Sequence, residues 1–214
     1  MPITILLADD HAVVRDGLKL ILGATDGLKV VGEAGDGRDA VLTTARLHPD
    51  VVVMDIAMPE LNGIDAARQV LAEAPKTRIL MLSMYGSIGH VARALDAGAT
   101  GFVLKESAGR EVTEAVRAVH AGRRYLSAKI SAPEVDTYLR RAAGRNRPFA
   151  VLSSREREVI QLVVEGRTSA TIAKTLHLSP KTVETYRSRL KEKLGVDNVP
   201  GLVKLAIQHG LTTP

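Results

Sequence analysis

The chain has 214 residues, 45% of them hydrophobic, a size and composition that suit two modest globular domains. It contains no cysteine, which excludes disulfide scaffolds, thiolate metal sites and cysteine nucleophiles, and a cytoplasmic location fits this composition. The apolar pattern predicts neither a transmembrane helix nor a secretion signal, and we expect no membrane association. Residues 1–125 carry a net charge of −2 and residues 126–214 carry +7. This asymmetry favours a second domain that binds a polyanion.

Residues 1–122 alternate short apolar runs with amphipathic stretches, a pattern typical of strands that are each followed by a helix. The predicted strands are 3–8, 28–34, 51–55, 78–83 and 101–104, and the predicted helices are 12–22, 38–47, 64–74, 88–97 and 111–121. Continuously apolar runs such as 51–53 are typical of strands buried on both faces of a parallel sheet. Five strand–helix units in succession predict an α/β domain with a doubly wound, five-stranded parallel sheet in the flavodoxin-like order 2-1-3-4-5.

The rest of the chain has a different pattern. We expect a first domain at 1–122, a linker at 123–148 with a helical piece at 133–143, and a small all-α domain at 149–214. In this last part, Ser153 and Glu156 have the spacing of a capping box that opens a helix. That helix is predicted to end near residue 166, and the following helices are 168–177, 179–194 and 198–208. The short turn between 177 and 179 predicts helix-turn-helix geometry.

Acidic residues follow two strands that are expected to be neighbours in the sheet. In a doubly wound sheet, ligands bind beyond the carboxyl ends of the strands, where the strand order reverses. The first strand is followed by Asp9 and Asp10, and the third ends at Asp55. Three converging carboxylates repel one another unless one is protonated or a cation joins them, and oxygen ligands at an open site suit Mg²⁺. At the same edge, the hydroxyl of Ser83 and the ammonium of Lys105 could hold phosphoryl oxygens.

These residues, with their neighbours, resemble the response-regulator receiver pattern. The motifs that carry the resemblance are Asp9-Asp10, Met54-Asp55-Ile56 with Met58-Pro59 and Gly63, Ser83, and Phe102-Val103-Leu104-Lys105. The resemblance implies that Asp55 is the phosphoacceptor, and that Lys105 and Ser83 contact the phosphoryl group. It also implies a Mg²⁺ site formed by Asp9, Asp10, Asp55 and the main-chain carbonyl of Ala57.

Three further positions bear on the receiver pattern. Phe102 resembles the aromatic switch residue that changes rotamer when Ser83 moves. Lys105 is followed by Glu106 where many receivers have proline, which we expect to alter the loop after the fifth strand. Tyr85 is bulky for its position two residues after Ser83, and we expect it to slow the attack of water on the phosphoryl group.

The third helix of the C-terminal domain is strongly basic. Its cationic residues are Lys181, Arg187, Arg189, Lys191 and Lys193. The motifs around it, from Leu152-Ser153-Ser154-Arg155-Glu156 through Ile172-Ala173 and Leu178-Ser179 to Lys181-Thr182-Val183-Glu184 and Lys193-Leu194-Gly195, resemble the LuxR-type helix-turn-helix. The whole chain is therefore similar to the NarL/FixJ family of response regulators.

This resemblance implies two groups of DNA contacts. The residues that face the base edges are Glu184, Thr185 and Ser188, and those that hold the DNA backbone are Lys181, Thr182, Arg187 and Lys191. Two departures bear on the exact contacts. The loop residues 166–170 lack the Asn-Lys pair found in many members, and Tyr186 stands where many have histidine.

The leading hypothesis is a transcription factor in which phosphorylation of Asp55 controls dimerisation and DNA binding. Its expected partners are a sensor histidine kinase, double-stranded promoter DNA, RNA polymerase and a second copy of the chain. We expect no enzymatic activity beyond the receiver's own phosphotransfer. Three alternatives fit the sequence less well. A phosphatase of the haloacid dehalogenase type needs an Asp-x-Asp motif, which Asp55-Ile56-Ala57 does not supply, and a quorum sensor needs Trp and Tyr residues in an N-terminal ligand pocket, which are missing here. A receiver that works without phosphate would not need the complete acidic site.

Overall fold

The computed structural model describes residues 1–142 and 148–208. The chain forms two compact units. The first contains residues 1–140, and the second begins at residue 141. Within the described residues, every helix is too short or too polar to cross a membrane. Residues 143–147 of the predicted linker lie outside the described residues.

The first unit contains a parallel sheet of six strands in the order β2-β1-β3-β4-β5-β6. The strands are β1 Ile3–Ala8, β2 Leu28–Ala34, β3 Val51–Asp55, β4 Arg78–Ser83, β5 Gly101–Leu104 and β6 Tyr125–Leu126. The first five strands and their order confirm the predicted fold. The sheet has one strand more than predicted, because the two-residue strand β6 pairs with β5 at the edge of the sheet.

Five helices accompany these strands, and the sheet is buried on both faces between them. They are α1 Ala12–Gly23, α2 Gly37–Leu47, α3 Gly63–Glu73, α4 Ile88–Asp96 and α5 Lys105–His120. Alternate residues of β1 and β3 enter two different hydrophobic clusters, so Leu6 and Val52 lie in one and Leu7 and Val53 in the other. This double burial explains why the strands are continuously apolar.

Helix α5 begins directly after β5, six residues earlier than predicted. Lys105 is its first residue and Leu104 is its N-cap. A proline at position 106 would disfavour helical dihedrals at Lys105, whereas Glu106 allows them. Glu106 also places a negative charge in the first turn, where the helix dipole favours it. Glu106, in place of the proline of many receivers, therefore allows helix where a loop was expected.

Residues 123–140 belong to the first unit, whereas we predicted that 123–148 would be a linker. Helix α6 spans Ala132–Ala142, close to the predicted helical piece, and Val135 on this helix is fully buried. Ile130 and Val135 join the same hydrophobic cluster as Phe102. The amphipathic sequence of 130–139 supplies an apolar face, and burial of that face against the receiver core is what makes this segment part of the unit.

The second unit is helical, and its elements follow the prediction closely. A short 3-10 helix at Pro148–Val151 precedes α7 Ser154–Val164, α8 Ser169–Leu176, α9 Pro180–Leu194 and α10 Val199–Gln208. The capping box of Ser153 and Glu156 is present, with both reciprocal hydrogen bonds. Helix α9 begins with Pro180 at its first position and ends at Gly195, whose φ of 64° suits a left-handed cap. One hydrophobic cluster joins these helices.

Candidate functional site

The carboxyl ends of β1, β3 and β5 bring the predicted receiver residues together. The Nζ atom of Lys105 lies 2.7 Å from Oδ2 of Asp55 and 2.8 Å from Oδ2 of Asp9. Asp9 and Asp55 are both 1% exposed, whereas Asp10 is exposed to solvent. The site is therefore a buried ion-pair cluster with one side open to water.

Burial and the ion pair between Asp55 and Lys105 shift the pKa of each of these two groups in opposite directions. Burial raises the pKa of Asp55, and the nearby carboxylate of Asp9 adds to this, while the hydrogen bond and charge of Lys105 offset part of the rise. The main-chain N–H of Ala57 also donates to Asp55. Burial lowers the pKa of Lys105, but its hydrogen bonds and charge interactions with Asp55 and Asp9 outweigh burial and raise that pKa. Lys105 is thus held as a cation between two carboxylates.

Sequence reasoning missed the position of His11. Its Nδ1 atom lies 2.7 Å from Oδ1 of Asp10 and 3.2 Å from Oδ1 of Asp9. The main-chain N–H of His11 also donates to Asp9 over 2.9 Å. The signal that could have found it is its place directly after the acidic pair, at the turn between β1 and α1.

The chemistry of this cluster fits a divalent cation. Ligand atoms of Asp9, Asp10, His11 and Asp55 all lie within 4.8 Å of one another. The cluster contains the carboxylates of Asp9, Asp10 and Asp55, and Lys105 forms ion pairs with Asp9 and Asp55. Hard oxygen donors with access to water are the set that Mg²⁺ prefers.

The predicted switch residues lie at the ends of β4 and within β5. The Ser83 hydroxyl, on a side chain that is almost fully buried, contacts the main chain of Tyr85, with its oxygen 3.0 Å from both the nitrogen and the carbonyl oxygen. The Tyr85 side chain is 53% exposed, and its ring stacks on His90 with centroids 6.4 Å apart. Phe102 is fully buried, and its carbonyl accepts a hydrogen bond from the N–H of Ser127.

The helix-turn-helix pair of the second unit presents one polar face of α9. Lys181, Glu184, Thr185 and Ser188 are all exposed, and their spacing of three and four residues places them on one side of the helix. Val183 and Leu190 are fully buried on the opposite side. The predicted base-facing residues therefore share a single exposed surface.

Two of the residues predicted to hold the DNA backbone, Thr182 and Arg187, form hydrogen bonds within the unit. The N–H of Thr182 donates to the hydroxyl of Ser179, the N-cap residue of α9, over 3.0 Å. Arg187 is half-buried and donates to the Ser169 hydroxyl over 2.9 Å. Lys191 is half-buried and lines a groove between α9 and α10. The first contact arises because Ser179 caps α9, and the second because Ser169, the first residue of α8, lies beside Arg187.

Comparison with known proteins agrees with both units. The family model for the response regulator receiver domain matches residues 5–117, and the model for bacterial regulatory proteins of the luxR family matches residues 150–206. The response regulator UvrY of Escherichia coli is 38% identical over 98% of this chain and 95% of its own length. The response regulator GacA of Pseudomonas viridiflava is 37% identical over 98% of this chain and 97% of its own length.

Solved structures of response regulators match nearly the whole chain. A structure of the RcsB response regulator of Salmonella typhimurium matches with a TM-score of 0.63 and 28% identity, over 95% of this chain and 96% of that one. A structure of two RcsB dimers bound to two parallel DNAs matches with a TM-score of 0.58 and 27% identity, over 96% of this chain and 98% of that one.

The receiver fold with its acidic cluster, followed by a LuxR-type helix-turn-helix, defines a regulator of transcription that is controlled by phosphorylation. This chain belongs to the response regulators, in the NarL/FixJ group predicted from its motifs.

Proposed function

We propose that Asp55 accepts a phosphoryl group from a partner histidine kinase, and that this modification promotes dimerisation and binding to promoter DNA. The observation that carries the proposal is the cluster in which Lys105 lies within 2.8 Å of both Asp55 and Asp9, in a chain that also presents a basic recognition helix. The phosphoryl transfer is the one reaction we assign to this chain. A DNA-binding regulator acts where the DNA is, so we place it in the cytoplasm, with RNA polymerase as a partner at the promoter.

Each residue of the site has a separate role in the phosphoryl transfer. An Oδ atom of Asp55 attacks phosphorus, a new P–O bond forms, and the P–N bond to the kinase histidine breaks, with the electron pair leaving on the imidazole nitrogen. The ammonium of Lys105 moves its hydrogen bond from the Asp55 carboxylate to a phosphoryl oxygen. Asp9, Asp10, Asp55 and the Ala57 carbonyl would hold Mg²⁺, which supplies positive charge to the phosphoryl oxygens when it is bound.

A route from the site to the DNA-binding unit passes along the β4 and β5 strands. The Ser83 hydroxyl, which now contacts the main chain of Tyr85, would instead donate to a phosphoryl oxygen. Phe102 shares a hydrophobic cluster with Ile130 and Val135, so a new Phe102 rotamer requires β6 and α6 to repack. The boundary between the two units falls within α6, so we propose that movement of this helix transmits the change toward the DNA-binding unit.

We expect a dimer because one recognition helix reads too few base pairs to select a single site. A single α9 contacts only a few base pairs, whereas two copies on half-sites one helical turn apart select a much rarer sequence. The solved structure of RcsB dimers bound to DNA supports a DNA-bound dimer for this chain. We expect Lys181 to contact the DNA backbone and Glu184, Thr185 and Ser188 to face the bases.

Labelling with acetyl phosphate and Mg²⁺, followed by mass measurement of the intact full-length chain, tests the phosphoacceptor. We expect the wild type to gain one acid-labile phosphate, and Asp55→Asn to gain none. Asp16→Asn is the matched control, because Asp16 is an exposed aspartate on α1 and should not affect labelling. Equal labelling of Asp55→Asn and the wild type would refute the assignment.

A further inference from the structure

Glu184 is an acidic residue on the face of α9 that we assign to DNA. Four of the nearby side chains on this helix are cationic: Lys181, Arg187, Arg189 and Lys191. An acid among them repels the phosphates and lowers the affinity for every DNA sequence alike. Such a residue can raise selectivity only if it gains a contact at the correct site that other sequences do not offer.

Hydrogen bonds from α8 fix the position of the Glu184 carboxylate. The Ser169 hydroxyl donates to Oε1 of Glu184, and the same hydroxyl oxygen accepts from Nη1 of Arg187 over 2.9 Å. A serine hydroxyl has one proton, and the arginine is always a donor, so the proton of Ser169 is committed to Glu184. The link joins the first turn of α8 to the second turn of α9 and ends on an exposed side chain.

A carboxylate held in one position can accept a hydrogen bond only from a base that presents a donor in the major groove, and only cytosine and adenine do so. In the major groove, guanine presents acceptors at N7 and O6, whereas cytosine presents the N4 amino donor, which has an acceptor on one side only, the O6 of its paired guanine. Adenine presents its N6 amino group between two acceptors, its own N7 and the O4 of its paired thymine, and both repel a carboxylate. We infer that Glu184, positioned by Ser169 and Arg187, selects cytosine at one position of each half-site. This inference rests on the proposed function, in which α9 enters the major groove.

Glu184→Gln is the most informative substitution. Glutamine has nearly the same shape, and its carbonyl oxygen can still accept from Ser169, so the link to α8 is kept. Its amide adds a donor, and the pair of donor and acceptor matches N7 and N6 of adenine. The preferred base should therefore move from cytosine to adenine at one position, with a change in relative affinity of roughly fivefold or more.

The experiment is the selection of binding sites from randomised double-stranded DNA, using the full-length chain with Mg²⁺ and beryllofluoride, followed by sequencing. The wild type should enrich a motif with cytosine at one position per half-site, Glu184→Gln should replace this cytosine by adenine, and Ser169→Ala should keep the cytosine with weaker discrimination. Glu192→Gln is the matched control, since Glu192 is an exposed acid two turns further along α9 and should leave the motif unchanged.

The outcomes separate this inference from the proposed function. If the wild type enriches no motif, the proposed DNA-binding function fails and the inference fails with it. If the wild type enriches a motif but Glu184→Gln enriches the same one, the inference alone is overturned. Loss of binding by Glu184→Gln to all sequences alike would also overturn it, because removal of a negative charge should not weaken phosphate contacts.

Discussion

Replacement of Lys105 by methionine should destabilise the first unit and leave the second unchanged. The Lys105 side chain is 7% exposed, and its ammonium lies within 2.8 Å of two carboxylates whose side chains are 2% exposed. Removal of one partner from a buried ion pair costs about 3–5 kcal/mol, because the remaining charge stays buried without compensation. Water reaches the cluster on the side where Asp10 is exposed, so we expect the free energy of unfolding of the first unit to fall by about 3 kcal/mol, the lower end of this range.

A double-mutant cycle tests whether this loss comes from the carboxylates. Asp55→Asn removes one of the repelling charges, so adding it to Lys105→Met should restore at least about 1 kcal/mol. Unfolding of the whole chain need not be two-state, because it contains two compact units. Hydrogen exchange of the β3 and β5 amides reports the first unit, and exchange in α7 is the internal control.

Two results would refute this reasoning. The first is a Lys105→Met variant whose β3 amides exchange as slowly as those of the wild type. The second is strict additivity of the two substitutions, which would mean that Lys105 and Asp55 do not interact. Mg²⁺ provides a further check, because a cation that binds only the folded site should recover part of the lost stability.

Three other predictions follow from particular contacts. Val135→Asp places a charge at a fully buried position of α6, so cleavage by trypsin after Arg140 should be at least about tenfold faster, while the exposed change Glu134→Gln has no effect. Burial raises the pKa of Glu156, but hydrogen bonds from Lys193 and Ser153 outweigh it and hold that pKa below 4.5. The second unit should therefore lose stability as the pH falls from 4.5 through the lowered pKa, and this pH dependence should be smaller in Glu156→Gln, as measured by α7 hydrogen exchange. Lys181→Ala should reduce the slope of log affinity against log salt by about one unit, whereas Lys29→Ala, on β2 of the receiver, should not change it.

Much of the fold could be predicted because its signals are local. Strands buried on both faces leave continuous apolar runs, and the bounds of β1 to β5 agree with those runs. Caps such as Ser153 and Ser179 mark helix starts through hydrogen bonds that span three residues. The acidic cluster could be predicted because strand order brings distant carboxyl ends to the same edge.

The parts that sequence reasoning missed depend on contacts between distant residues. Strand β6 has two residues, too few for a periodic signal, and it forms because β5 offers a free edge beside Tyr125 and Leu126. The segment that follows β6 reads as a linker by composition, yet Ser127 accepts a hydrogen bond from the N–H of Leu104 and donates one to Glu111. On α9, the engagement of Arg187 by Ser169 depends on how α8 packs, which spacing alone does not reveal.

The central claim is that modification of Asp55 controls DNA binding. Its most direct test is the affinity of the full-length chain for a selected DNA site, measured with and without beryllofluoride in the presence of Mg²⁺. We predict that beryllofluoride, which mimics the aspartyl phosphate, raises the affinity of the wild type at least about tenfold and has no effect on Asp55→Asn. Equal affinities of the wild type in both conditions, or the same increase in Asp55→Asn, would contradict the account.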